Sequence, residues 1–303
     1  MNPHVRKAVE YLKISSRMER KPGFGHALGF SFHHLEAKHI RFDDRKTCHI
    51  RMPVTESLLW TDHATTTESP GMLSTMAAIV DEATTLALSV VDRPGVSVML
   101  SMDAGPAMRQ LRVGDEIEVT SFVQKTGRNM GYTKAEIRLV PTGQLVCSGT
   151  HIKFLNNLGY VGGFLFSSYG WPLLKAYSDY INPTNEGHPI KTLTELFASL
   201  ESDGKSKATF SASPGHSSLG GPLHGGAQAV LLERAVESIL PSEPDVDFRL
   251  DSMQVEYISK PNFHPEIVMT KNFTDRDNQL VISAELWSRG KLSSTGIFRY
   301  SRR

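Results

Sequence analysis

The sequence predicts an α+β protein built from two similar halves, each a long buried helix wrapped by antiparallel strands. Three observations carry the prediction. Residues 73–91 and 225–240 place apolar side chains at helical spacing with little charge, as buried helices do. Each is followed by runs rich in β-branched and aromatic residues, punctuated by Gly, Pro and Asp turn signals. The two series also repeat at a nearly constant offset: Glu233 lies 152 residues after Asp81, Glu266 150 after Glu116, and Gly290 147 after Gly143. A repeat of that length signals a duplicated domain rather than a solenoid array.

In chain order, the first half opens with a strand at 47–53. Met76, Ile79, Val80, Ala83, Leu86, Ala87 and Val90 then form the apolar stripe of the first helix, which carries Asp81. Strands follow at 96–102, 116–123 and 132–140, with turns at Gly105-Pro106, Val113-Gly114-Asp115 and Pro141-Thr142-Gly143; residues 143–154 alternate as a last strand. Gly, Pro, Asn and Ser clusters mark 156–204 as a linker around two short helices, 171–180 and 193–202. The second half repeats the order. A strand at 207–212 precedes the helix of Ala229, Val230, Leu232, Val236 and Ile239, which carries Glu233 and is stopped by Pro241. Strands at 253–258, 266–273, 281–287 and 290–300 complete it. The expected domains are 1–155, with an N-terminal helical extension, and 205–303, joined by 156–204.

Composition narrows the classes. A chain of 303 residues is about two domains long, and 40% hydrophobic with 21% charged residues is ordinary for a soluble globular protein. Lys and Arg (33) balance Asp and Glu (32), which argues against a protein that coats nucleic acid or an acidic membrane. Cys48 and Cys147 lack CxxC spacing, so neither a disulfide framework nor a cysteine zinc site is expected; a reducing compartment, the cytoplasm, fits. The most apolar run, 160–174, is broken by Gly162, Gly163, Gly170 and Pro172, so no membrane span is expected. Arg6, Lys7, Lys13, Arg17, Arg20 and Lys21 face only Glu10 and Glu19 at the N-terminus, which reads either as an amphipathic surface helix or as a mitochondrial presequence. The absence of GxGxxG and GxxxxGK[ST] loops argues against nucleotide hydrolysis, and the absence of HxxxH spacing argues against a metal site.

With these elements in place, the chain resembles the hot-dog fold acyl-CoA thioesterases of the phenylacetyl-CoA and human thioesterase-superfamily type. In the first half the resemblance covers roughly residues 52–154 and rests on Pro94-Gly-Val-Ser-Val98, Val113-Gly-Asp-Glu-Ile-Glu-Val119, Lys125-Thr-Gly-Arg128 and Thr142-Gly-Gln-Leu-Val146. In the second it rests on Leu223-His-Gly-Gly226 and the acid Glu233 that follows on the same helix. It implies two fused hot-dog domains packed as a pseudo-dimer, each an antiparallel sheet around a central helix. It also implies hydrolysis of an acyl-CoA thioester without a cofactor, at sites where the His-Gly-Gly helix start of one half faces the acid of the other.

The chemistry is intelligible on its own terms. Water attacking a thioester carbonyl creates an oxyanion, which backbone N–H groups at a helix start can stabilise, and glycine lets substrate approach that backbone closely. The halves have diverged, however. The first keeps Asp81 but has Met72-Leu73-Ser74 where the glycines would align; the second keeps His224-Gly225-Gly226 but has Glu233 as its acid. Pairing across the halves gives one complete site, with Asp81, His224 and Gly225, and one degraded site around Glu233. Ser97 matches a family serine that positions water, whereas the second half has Leu250 near that place. The resemblance thus makes Asp81 general base or nucleophile, Ser97 the water-orienting group, and Gly225 N–H the carbonyl donor beside His224 and Gly226. Ser218 stands where the family often has an asparagine that contacts the carbonyl. Replacing Asp81 with Asn is expected to abolish hydrolysis and leave the fold intact.

Blander roles stand beside these: Asp81 as a helix acid paired with a basic residue, Glu233 as a structural acid next to Arg234, His224 as a helix cap. Lys125, Arg128, His151 and Lys153 are the basic candidates for the coenzyme A phosphates, which need exposed cations near the tunnel mouth. A non-catalytic acyl-CoA binder and an enoyl-thioester hydratase are the competing functions. The hydratase would need an Asp and a His about five apart at a strand-to-helix turn, and neither half has that pair. The fused chain could also pair as a homodimer through sheet edges or helix backs.

Overall fold

The computed structural model describes residues 1–18, 23–31, 34–59, 73–155, 164–167, 169–181, 192–216, 223–240, 248–261, 264–274 and 279–302. Among these described residues, twelve strands form one antiparallel sheet. They are β1 (Ile40–Phe42), β2 (Thr47–Pro53), β3 (Val96–Ala104), β4 (Glu116–Thr126), β5 (Met130–Leu139), β6 (Leu145–Phe154), β7 (Glu201–Ser202), β8 (Lys207–Thr209), β9 (Phe248–Tyr257), β10 (Glu266–Thr274), β11 (Gln279–Ser288) and β12 (Lys291–Arg302). Their order is β1-β2-β4-β5-β6-β3-β9-β12-β11-β10-β8-β7, which follows the same path inward from either edge. The seam is β3 against β9, with Ser101 opposite Gln254 at its centre. Strict alternation explains why the sheet has a wet and a dry face: along β5 every second residue is buried and the intervening ones are exposed or half-exposed.

Two central helices fill the dry face. The first, Leu73–Val91, is buried along nearly its whole length. It is long and apolar enough to pass for a membrane span, contrary to the sequence expectation, but 83% of that window is buried inside the protein, as a core helix requires. The second, Gly225–Glu237, ends three residues before the expected boundary; Ser238 N–H bonds to Arg234 O there. The helices cross closely because Gly226 has no side chain: a Cβ there would lie 2.8 Å from Ala78 Cβ.

The N-terminal helix, Pro3–Met18, is more than a surface helix. It buries Val5, Ala8, Tyr11, Leu12 and Ile14, and it packs on both the first central helix and the linker helix Trp171–Ile181. Trp171 Nε1 donates to Glu10 Oε2 at 2.8 Å. Lys7 Nζ donates to Val90 O at 3.2 Å, and Arg45 donates to Val91 O, so two cations close the C-terminal end of the first central helix. That packing covers part of the helix back offered above as a dimer surface.

The second linker helix is much shorter than expected. Thr192 caps Leu193–Leu196 in a reciprocal box with Glu195, and the chain then turns into β7 rather than continuing. The cause lies just beyond: Asp203 Oδ1 accepts the N–H groups of Lys205, Ser206 and Lys207, which folds 203–207 into the turn that pairs β7 with β8. Strand β8 in turn stops at Thr209 instead of 212.

Candidate active site

The site forms where the first central helix meets the start of the second. Asp81, on the third turn of its helix, is 2% exposed. Its Oδ2 accepts the Gly226 N–H at 3.0 Å, and its Oδ1 accepts from Lys153 Nζ at 2.6 Å and from Ser97 Oγ at 3.1 Å. His224 stands at the N-cap of the second helix, its Nδ1 3.1 Å from Gly226 N and 3.4 Å from Asp81 Oδ2, and its Nε2 3.0 Å from Glu82 Oε1. Gly225 N–H, at the first helical position, meets no acceptor among the described residues. A Cβ on Gly225 would lie 2.9 Å from both Asp81 Oδ2 and Ser97 Oγ, so glycine keeps this approach open. Tyr257 OH donates to Gly225 O at 3.1 Å and steadies the turn from β9. Ser97, His224 and Gly225 are partly exposed.

Strand geometry explains the arrival of Lys153. It stands directly opposite Ser97 in the β3–β6 pairing, and directly opposed residues project from the same face. His151, two residues earlier on β6, points the same way: its Nδ1 lies 2.7 Å from Thr84 Oγ1 and its Nε2 3.6 Å from Asp81 Oδ1. Both side chains are buried, at 0% and 2% exposure, so neither is the exposed cation proposed for coenzyme A phosphates. Lys125 and Arg128 are exposed at the β4–β5 turn. That turn lies beside the same end of β6, where Asn129 O accepts Leu155 N–H. Ser218 and Met72 lie outside the described residues.

Electrostatics separate the two acids. Burial alone would raise the Asp81 carboxyl, but the Lys153 and His224 cations outweigh it and hold the group well below the usual carboxylate range. Burial lowers His224, and the Glu82 and Asp81 carboxylates more than reverse this, raising it to about 9. Burial and Lys153 lower His151 to about 3, so it is neutral.

Glu233 occupies the mirror position. Its Oε2 accepts Ser74 N–H at 2.6 Å, at the second position of the first helix, just as Asp81 accepts Gly226 N–H at the second position of the other. Its surroundings differ. The strand register puts Leu250 where Ser97 stands, as the sequence suggested, and Tyr300 where Lys153 stands. Burial and Glu237 raise Glu233 to about 8, against the opposing bonds from Ser74 and Leu73. One acid is therefore a carboxylate at neutral pH, and the other is mostly protonated.

Sequence reasoning missed Lys153 as the partner of Asp81, and with it Glu82 and Tyr257. A signal for Lys153 existed: Gly149, His151 and Lys153 share the inward phase of β6, where a charged residue has no place without a partner. Among the described residues no cluster of His, Cys, Asp and Glu could hold a metal ion.

An antiparallel sheet wrapped over central helices, with the acid of one helix held by the start of the other, is the hot-dog fold, and solved structures share it over most of the chain. A hot-dog protein of unknown function from Alicyclobacillus acidocaldarius aligns with TM-score 0.53 and 13% identity over 87% of this chain and 95% of its own. The 12:0-ACP thioesterase of Umbellularia californica aligns with TM-score 0.55 and 12% identity over 85% and 94%. An acyl-ACP thioesterase of Bacteroides thetaiotaomicron aligns with TM-score 0.53 and 10% identity over 86% and 100%. In sequence, 83 residues match acyl-coenzyme A thioesterase 13 of Homo sapiens at 34% identity and that of Mus musculus at 32%. The match covers 27% of this chain and 57% of each relative, so the chain spans little more than half the length of the curated relatives it matches. No family model matches the chain.

Proposed function

We propose that this chain is two fused hot-dog units and hydrolyses acyl-CoA thioesters to the free acid and CoA at a composite site between them. The observation that carries this reading is the buried Asp81 carboxylate of one helix, held by Gly226 N–H at the start of the other and flanked by Ser97. The thioester carbonyl oxygen takes the Gly225 N–H, where the positive end of the helix favours the developing oxyanion. A water placed by Ser97 gives its proton to Asp81 as it attacks; alternatively Asp81 attacks directly and water cleaves the resulting anhydride. In the first course the proton passes from Asp81 to the CoA sulfur as the C–S bond breaks; in the second CoA leaves as the thiolate and is protonated by the water that later opens the anhydride. Glu233 has Leu250 and Tyr300 where Asp81 has Ser97 and Lys153, so it lacks a hydroxyl to hold the water, and the reading puts the chemistry at one site. Lys125 and Arg128 are the remaining candidates for the CoA phosphates. The curated relatives named as acyl-CoA thioesterases support the substrate class.

A second reading, an acyl-CoA binder without activity, is favoured by one observation: both Asp81 oxygens are already engaged by protein donors. Free-thiol release across acyl-CoAs of several chain lengths separates the two. Hydrolysis by the wild type, lost in folded Asp81→Asn protein, is the expected result. Tight binding with no thiol release at any chain length overturns the hydrolase reading.

A further inference from the structure

Lysine is seldom buried without a purpose, because its charge must leave water and find a partner. Lys153 is 2% exposed, yet it sits among the reacting groups. Its Nζ lies 2.6 Å from Asp81 Oδ1 and 3.4 Å from Ser97 Oγ, while Ser97 Oγ donates to the same Oδ1 at 3.1 Å. These three groups close a triangle. Ser97 accepts from the ammonium and donates to the carboxylate, so its hydroxyl hydrogen has one direction. The opposite register of Ser97 and Lys153 on β3 and β6 builds the triangle into the sheet. A buried ion pair adds little stability over apolar packing of the same volume, so stability alone does not account for it.

We propose that Lys153 is a positioning residue: it clamps Asp81 Oδ1 and Ser97 Oγ into one rigid edge against which the attacking water is held. The inference rests on the hydrolase reading above. Other groups face Asp81 from each packed element: His151 from β6, His224 from the second helix start, Tyr257 from β9, Tyr11 from the N-terminal helix, and Glu82 beside it. Of these, His151 is neutral and the tyrosines are raised by burial; His224 is a second cation but lies 3.4 Å from Oδ2, so Lys153, 2.6 Å from Oδ1, is the cation in contact with the oxygen that Ser97 shares.

Two variants test it, each checked for folding by far-UV circular dichroism and thermal melting, with thiol release followed from pH 4 to 9. Lys153→Met removes charge and donors; kcat is expected to fall tenfold or more with KM within twofold, and kcat/KM, which has no acid limb above pH 4 in the wild type, to gain one inside the measured range. Lys153→Arg keeps the charge but displaces the donors; no acid limb should enter the range while kcat still falls. A wild-type kcat in either folded variant overturns the positioning role and leaves the hydrolase reading standing. If Lys153→Met does not fold, the Lys153→Arg result decides alone. An inactive wild type overturns the hydrolase reading, and this inference falls with it.

Discussion

Asp81→Asn tests the buried pair directly. Asp81 and Lys153 are both buried, with Nζ and Oδ1 2.6 Å apart. Asparagine keeps one acceptor oxygen, so it can accept from Gly226 or from Ser97 but not from both, and the change removes the charge together with one of these bonds. Removing one partner of a buried pair strands the other, at a cost of about 3–5 kcal/mol, which is a large part of the roughly 5–15 kcal/mol that holds a domain together. The sequence expectation that asparagine leaves the fold intact is therefore revised: the variant should fold, but with a much lower urea midpoint. Combining Asp81→Asn with Lys153→Met removes the stranded charge and should return most of the loss. Urea unfolding at pH 7, followed by far-UV circular dichroism, measures both. If Asp81→Asn loses less than about 1 kcal/mol, or the double variant is no more stable than the single, the premise that this pair is desolvated is wrong.

The second acid behaves differently with pH. Glu233 titrates near 4.5 unfolded and about 8 folded, so its contribution is fully present below pH 4.5 and is lost as pH rises to 8, at about 1.4 kcal/mol per pH unit at most. Wild-type stability should decline across that window, whereas Glu233→Gln should be flatter and more stable than wild type at pH 8; parallel curves would contradict the assignment. The paired glycines should also separate by readout. Gly226→Ala drives a methyl to within 2.8 Å of Ala78 Cβ and should cost about 1–3 kcal/mol, less roughly 1 kcal/mol of helix propensity regained, visible as a lowered melting temperature. Gly225→Ala instead crowds Asp81 and Ser97 and should reduce thiol release far more than it lowers the melting temperature.

Much of the architecture was legible because it depends on local periodicity. The apolar stripe set the first helix at Leu73–Val91, and alternation located the strands, because side-chain spacing reveals which face a segment hides. The distance between Asp81 and the His224 turn closes only through tertiary packing, and it was the family resemblance, not the spacing of the helices, that brought the two together in expectation. The helix expected at 193–202 failed because its apolar pattern was outweighed by the Asp203 turn, whose backbone bonds are formed by residues past the helix end.

What the sequence by itself determined is the pair of buried helices, the order of strands around them and the acid on each helix, all written in spacing along the chain. Only the tertiary structure decided what faces those acids. Lys153 and His151 read as surface cations because inward phase on β6 says that a side chain is buried, not what it meets. The β3–β6 register and the helix crossing at Gly226 supply that partner, and they join residues 72 and 145 positions apart. The difference between a carboxylate at Asp81 and a protonated acid at Glu233 follows from those neighbours, since the two positions are otherwise equivalent in burial and in the helix start that receives them.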